Sequence, residues 1–199
     1  MSTKVIAISL ITSLSILTAG CGNVHQGTSP SLVTIASLQA AQGNKPGTLS
    51  GSLFSDVVTM VKVDSVLVPT VFNDVGQVSM QVALKDTTAS PSALNTVTFT
   101  HYHVEFRRTD GHNIEGVDVP YSFDSGLTFS VGAAGSAAGF ELVRHTAKED
   151  APLVALVNSS AIINTIANVT FFGKDQSGND VQVTGSIGID FGNFGDPTS

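Results

Sequence analysis

His101 and His103 stand two residues apart in the segment HYHVEFRR, and Glu105 continues the spacing. In an extended strand, residues i, i+2 and i+4 project from one face, so two imidazoles and a carboxylate could meet a single ion. Zinc or copper held there would need a third and usually a fourth ligand, for which His112 and His145 are the histidines at hand. The same pattern has a plainer origin. A strand with one face on a core alternates apolar and polar residues, and that alternation alone places polar side chains at 101, 103 and 105. The sequence thus names a candidate metal pair, His101 and His103, without naming what completes it.

Other chemistry is thinner. Asp175 to Asp180 offers oxygen ligands of the kind calcium takes, but Gly178 is not where a D-x-[DN]-x-[DN]-G loop requires its glycine. Asp110, Asp118 and Asp124 are spread over a loop region without meaningful spacing. The tract GAAGSAAG sets a serine among glycines in an order other than G-x-S-x-G. With five histidines and twelve aspartates, a Ser/His/Asp trio can always be assembled on paper. Four glutamates and no tryptophan make a sugar-binding platform less attractive, and Phe171, Phe172 and Tyr121 read as core or edge aromatics. No catalytic or cofactor motif emerges, so the expectation is a protein that is not an enzyme and needs no cofactor.

The elements that would carry these residues are strands. Leu32 to Ala41 is a first candidate, although SLQAAQ could also start a short helix, and Gly43 to Gly47 breaks it. Val57 to Val63 and Val66 to Phe72 follow, the second demoted to an edge by Pro69, which has no backbone donor. The clearest alternation starts at Gln77, where Val78, Met80, Val82 and Leu84 oppose Ser79, Gln81, Ala83 and Lys85. After the loop Asp86 to Asn95, a second strong strand spans Val97 to Arg108, with Tyr102, Val104 and Phe106 inward. Short strands are expected at Val117 to Phe123, Leu127 to Val131 and Phe140 to Thr146, with GAAGSAAG as a loop or bulged crossing. Ala167 to Lys174 then turns through Asp175 to Asp180 into a last strand, whose Val181, Val183, Gly185, Ile187, Ile189 and Phe191 share a face. No stretch competes as a long amphipathic helix. Many short strands with turn signals between them argue for an all-β sandwich.

The hairpin VTFFGKDQSGNDVQVTGSI resembles the last two strands of bacterial immunoglobulin-like and fibronectin-type domains, where a D-x-x-G-N turn joins a Thr/Val-rich pair. The resemblance implies an immunoglobulin-like antiparallel β-sandwich with extra N-terminal strands. The lack of tryptophan and of a disulfide departs from antibody-type domains, so the likeness concerns architecture, which does not fix function.

The N-terminus carries the strongest statement about place. Lys4 precedes an apolar run from Val5 to Leu17, too short and too rich in serine and threonine for a permanent span of roughly 20 apolar residues. Leu17-Thr18-Ala19-Gly20-Cys21 resembles the lipobox of bacterial lipoproteins, with Thr18 where leucine is commonest. The resemblance implies cleavage before Cys21 and a diacylglycerol thioether on its sulfur, and Gly22 favours the outer membrane in a cell with two membranes. An ordinary secretory leader would instead leave the chain's only cysteine as a free thiol. The expected organisation is a signal peptide over 1–20, a polar tether over 21–31 and one β-sandwich domain over 32–199.

Composition narrows the partners. The chain of 199 residues has nine Lys and Arg against sixteen Asp and Glu, for a net charge of −7, which excludes the cationic footprint that phosphate backbones require. Charged residues are 13% while hydrophobic ones are 42%, enough apolar surface to drive folding rather than disorder. The expectation is a lipid-anchored cell-envelope protein, held at a membrane by Cys21, that works as an interaction or structural module on an envelope protein partner through its edges and loops such as Asp110 to Gly116. The alternatives are a metal-binding lipoprotein using His101 and His103, and a surface adhesin or carbohydrate-binding module.

Overall fold

The computed structural model describes residues 27–196; the leader and Cys21 lie outside them. The described chain is all-β, built from ten strands and short helical turns. Strands β1 (Ser31–Ala41), β5 (Asp74–Leu84) and β8 (Ser136–Val143) form a three-stranded sheet in the order β1-β5-β8. Strands β2 (Ser52–Asp56), β6 (Val97–Arg107), β7 (Phe123–Val131), β9 (Ile163–Asp175) and β10 (Asp180–Gly192) form a five-stranded sheet in the order β2-β10-β9-β6-β7. Strands β3 (Thr59–Val63) and β4 (Val66–Thr70) pair only with each other.

Alternation explains which faces meet. On β5, Val78, Met80 and Val82 are buried, as the period of two requires, and on β9 and β10 the buried set includes Ala167, Val169, Phe171, Val181, Ile187 and Ile189. These inner faces enclose one hydrophobic cluster. At its centre the Tyr102 and Phe140 rings meet edge to face at 5.1 Å and Phe140 meets Phe171 at 5.4 Å. The Tyr102 hydroxyl donates to the Glu141 carbonyl at 2.9 Å, so its polar end is satisfied across the sheets. Gly185 is where β1 side chains approach β10 closely. A Cβ there would lie 2.9 Å from Ile35 Cδ1 and 3.1 Å from Leu38 Cδ2, so a side chain at 185 would oblige the tips of these two β1 residues to shift.

Several expectations are corrected. Ser52–Asp56 is a strand that pairs parallel with β10, so the five-stranded sheet is mixed rather than purely antiparallel. Val117 to Ser122 is not strand; it is a turn segment tied by a single bridge between Glu115 and Val119. Half of GAAGSAAG is strand, since β8 begins at Ser136, and the segment expected to extend to Thr146 ends at Val143 and enters helix α1 (His145–Glu149). Leu153 to Leu156 forms a single 3₁₀ turn. Pro69 does lie in an edge strand, opposite Met60.

A buried ion pair locks these pieces together. Lys148 of α1 places its Nζ 2.9 Å from Asp74 Oδ2, and both side chains are 1% exposed. The ammonium also donates to the Asp56 carbonyl at 2.8 Å. Asp74 accepts from the Ser55 hydroxyl at 2.6 Å and from the Gly43 amide at 3.0 Å. Breaking such a pair on one side leaves an uncompensated buried charge and typically costs about 3–5 kcal/mol. Asp74→Asn is therefore expected to lower unfolding stability by that order in urea titrations, whereas the double variant Asp74→Leu/Lys148→Met loses less than the two single losses added together; an additive double variant would show that the charges do not interact.

Candidate functional site

His101 and His103 both lie on the outer face of the five-stranded sheet, as their spacing implies, but by a route that simple alternation does not give. Val97 and Phe99 are buried, and so are Tyr102, Val104 and Phe106. The inward set changes parity because a bulge between Phe99 and His101 inserts one residue into β6. Thr100 and His101 are consequently both exposed. The partner strand makes room with Gly173, where a Cβ would fall 2.4 Å from the Thr98 carbonyl oxygen and 2.8 Å from Phe99 Cα.

Each candidate ligand already has its own neighbour. His103 Nδ1 lies 3.1 Å from Asp124 Oδ1 across the β6–β7 pairing. The His101 imidazole stacks on Phe172 at 4.8 Å with 10° between the planes, and its Nδ1 lies 3.1 Å from Thr100 Oγ1. Glu105 takes a 2.8 Å bond from Arg107. His112 sits beside Asp110, and His145 lies 2.8 Å from Asn73 Oδ1 at the start of α1. Among the described residues no three His, Cys, Asp or Glu side chains are grouped to hold a metal.

The carboxylates weighed for calcium are likewise engaged. Asp175 Oδ1 accepts from the backbone amides of Ser177 and Asn179, both at 2.9 Å, and Oδ2 accepts from Asn179 Nδ2 at 2.8 Å. Burial raises the Asp175 carboxyl, but these bonds and one from Ser29 outweigh it and hold the group below its ordinary value. Arg108 holds Asp110 at about 2. Asp118 caps the Ile114 amide at 3.0 Å. Ser136 opens β8 and pairs with Met80 of β5. The Asp74–Lys148–Ser55 cluster, which the sequence did not signal, is sealed from solvent and acts as a structural lock.

The outer face holds a groove instead. Its volume is about 480 Å³, and its walls include Thr98, Thr100, His101, Phe172, Gln176 and Gln182. At its end, where the β9–β10 turn closes it, Lys174 and Asp180 form an ion pair. From the groove a row of paired polar side chains runs along β9 and β10: Thr170 with Thr184 at 2.8 Å, Asn168 with Ser186 at 2.7 Å and Asn164 with Asp190 at 2.6 Å. Phe172, expected in the core or at an edge, is therefore on the exposed face, while Phe171 is fully buried. The signal was available in the alternation of VTFFGK, which puts adjacent phenylalanines on opposite faces.

Comparison brings no relative to this geometry. No family model matches the chain, and neither curated proteins nor solved structures give a match. What the site can do is read from its own residues.

A second surface lies at the other end of the strands. The chain enters at Gly27, whose carbonyl accepts from Lys85 Nζ at 2.9 Å, and Thr28 bonds Asn179 at 2.9 Å. From that end β10 runs 13 residues to Gly192, beside Asp56 of β2, a rise of about 40 Å. The β3–β4 hairpin leaves from there. Asp64 and Ser65 both have positive φ, at 48° and 70°, the combination that a two-residue type I′ turn requires. Met60, Val63, Val66, Leu67 and Val68 of this hairpin are exposed, and Ile114, Val117 and Tyr121 are exposed on the segment that follows β6 at the same end. Among the described residues no helix is long and apolar enough to cross a membrane.

Two outcomes follow. Gly173→Ala drives a methyl group into the β6 backbone, so it is expected to destabilise the fold and to shift the amide resonances of Thr98 to His101; an unchanged melting temperature would refute the contact. The stabilisation from Asp175 is present above its ordinary value of 3.8 and is lost as pH falls below that towards the depressed folded value. Unfolding stability of Asp175→Asn is accordingly expected to fall less steeply below pH 4 than that of the parent, measured by denaturant titration at successive pH values.

Proposed function

We propose that this chain is a lipid-anchored cell-envelope protein whose β-sandwich, of immunoglobulin-like type, is a non-enzymatic interaction module. The observation that carries the reading is the β3–β4 hairpin. A two-stranded ribbon is marginal on its own in water, and an exposed apolar element of this kind marks an interaction surface. It stands at the end of the strands away from the chain's entry at Gly27, where a partner can reach it. The segment expected to make contacts, Asp110 to Gly116, shares that end and is ordered by Arg108–Asp110, by Asn113 and by Asp118.

Support for the immunoglobulin-like type comes from strand order. In such sandwiches the first, second and fifth strands share one sheet and the third, sixth and seventh the other. The orders β1-β5-β8 and β10-β9-β6 fit that scheme, with β2 as a short early strand crossing to the second sheet and β7 as an added edge. Support for the anchor is the Leu17 to Cys21 motif and the polar stretch after it. Two acyl chains hold a protein at a bilayer where one is marginal, since each buried methylene contributes about 0.8 kcal/mol.

The test combines fractionation with crosslinking in cells. The parent chain is expected in the membrane fraction with labelled fatty acid on Cys21, and Cys21→Ser is expected in the soluble fraction without label. A photocrosslinking residue at Leu67 is expected to capture an envelope protein, and one at Thr128, on the outer face of β7, is not. Membrane retention of unlabelled Cys21→Ser would sink the anchoring half; equal capture from both positions would sink the contact surface.

A further inference from the structure

We infer that the outer-face groove over β6, β9 and β10 is a binding site for a neutral oligosaccharide. At about 480 Å³ it falls within the range of about 300–1,000 Å³ usual for small-molecule sites. Its lining matches the two-sided chemistry of a sugar ring. The stacked His101 and Phe172 rings supply an apolar wall for the ring's C–H groups. Thr98, Thr100, Gln176 and Gln182 line it with hydroxyl and amide groups; Thr98 is paired with Ser130, Thr100 with His101 and Gln176 with the Thr96 carbonyl, and since a hydroxyl or amide both donates and accepts more than one bond, such groups can also meet vicinal hydroxyls.

Charge selects against other small ligands. Lys174 is paired with Asp180 in the groove, and the other carboxylate in its lining, Asp175, is taken up by the Ser177 and Asn179 amides and Asn179 Nδ2. A phosphate or carboxylate ligand would have to displace the Asp180 carboxylate, and a cation would have to displace the ammonium. A neutral polyol leaves the pair intact and can hydrogen-bond to its unused donors and acceptors. The site also continues beyond one ring. The polar pairs at 170/184 and 168/186 are two residues apart, a step of about 7 Å, and 164/190 follows four residues farther on, beyond Ile166 and Gly188, so a chain of sugars laid along the two strands meets further hydrogen-bonding groups. Affinity is therefore expected to grow with chain length.

The inference concerns a second surface and stands apart from the hairpin. It takes its biological setting, an envelope rich in polysaccharide, from the function proposed above. Calorimetric titration of the full-length protein with glucose, cellotriose, maltotriose and chitotriose tests it. At least one trisaccharide is expected to bind, more tightly than glucose, and Phe172→Ala and Gln182→Ala are each expected to weaken it at least tenfold while retaining the parent's circular dichroism. Where Phe172→Ala fails to fold, Gln182→Ala decides. No binding of any trisaccharide at millimolar concentration, or unchanged affinity in the folded variants, would overturn the site. Neither result depends on whether Cys21 carries lipid, so failure here and failure of the anchor are told apart.

Discussion

The ion pair between Asp74 and Lys148 is the constraint on which the arrangement of this domain turns. Two charges withdrawn from water cost several kcal/mol each, and the cost is offset only when geometry and further hydrogen bonds are both good. Here Asp74 receives Lys148, Ser55 and the Gly43 amide, and Lys148 also reaches the Asp56 carbonyl. Those partners come from the start of β5, the end of β2, the β1–β2 connection and α1. Satisfying one carboxylate therefore fixes four segments that are far apart in sequence. It seats the end of β2 against the end of β10, where the Val57 amide donates to the Gly192 carbonyl at 3.0 Å.

That seating decides what the far end of the domain can present. With Asp56 fixed, the chain must leave the sheet at Val57, and the next residues form a hairpin that pairs with nothing else in the described structure. The hairpin keeps its shape by its own ladder and type I′ turn, not by packing, so its apolar side chains stay exposed. The Asp56 carboxyl beneath it is raised by burial, against bonds from the Phe194 amide and Thr59 that lower it. Thr59 opens β3, so the base of the projecting ribbon is tied to the same buried polar cluster as the core.

The strands were legible wherever one face is buried and the other wet. Val78 to Val82 and Val181 to Phe191 declare their inner faces by alternation, and they sit as that pattern requires. What escaped was set by partners distant in sequence. Ser52–Asp56 is too short and too polar to stand out, and it is a strand because β10 offers a parallel edge. Ser136 to Gly139 carries almost no side chains and is a strand because β5 lies beside it. Lys148 stands in the charged run KED, a pattern typical of a solvated face; only the position of Asp74 makes it buried. His101 and His103 were placed on the correct face, yet the bulge at Thr100 and the partners Asp124 and Phe172 depend on register that no local pattern encodes.

Were the chain held at Cys21 as proposed, distance from that residue would separate the two surfaces. The groove is closed by the β9–β10 turn, and Asn179 of that turn bonds Thr28, so the groove lies at the end where the chain enters. Five residues lie between Cys21 and Gly27, which makes six steps from one Cα to the next, and a fully extended chain gains at most about 3.6 Å per step. A lipid on Cys21 would thus hold this end within about 20 Å of the residue bearing it, while the hairpin begins about 40 Å farther along the strands. A saccharide bound in the groove would be one lying close to the membrane surface, and a protein met by the hairpin would be one standing away from it. Such an anchor would therefore sort ligands at the two surfaces by height, which a long flexible linker would not do.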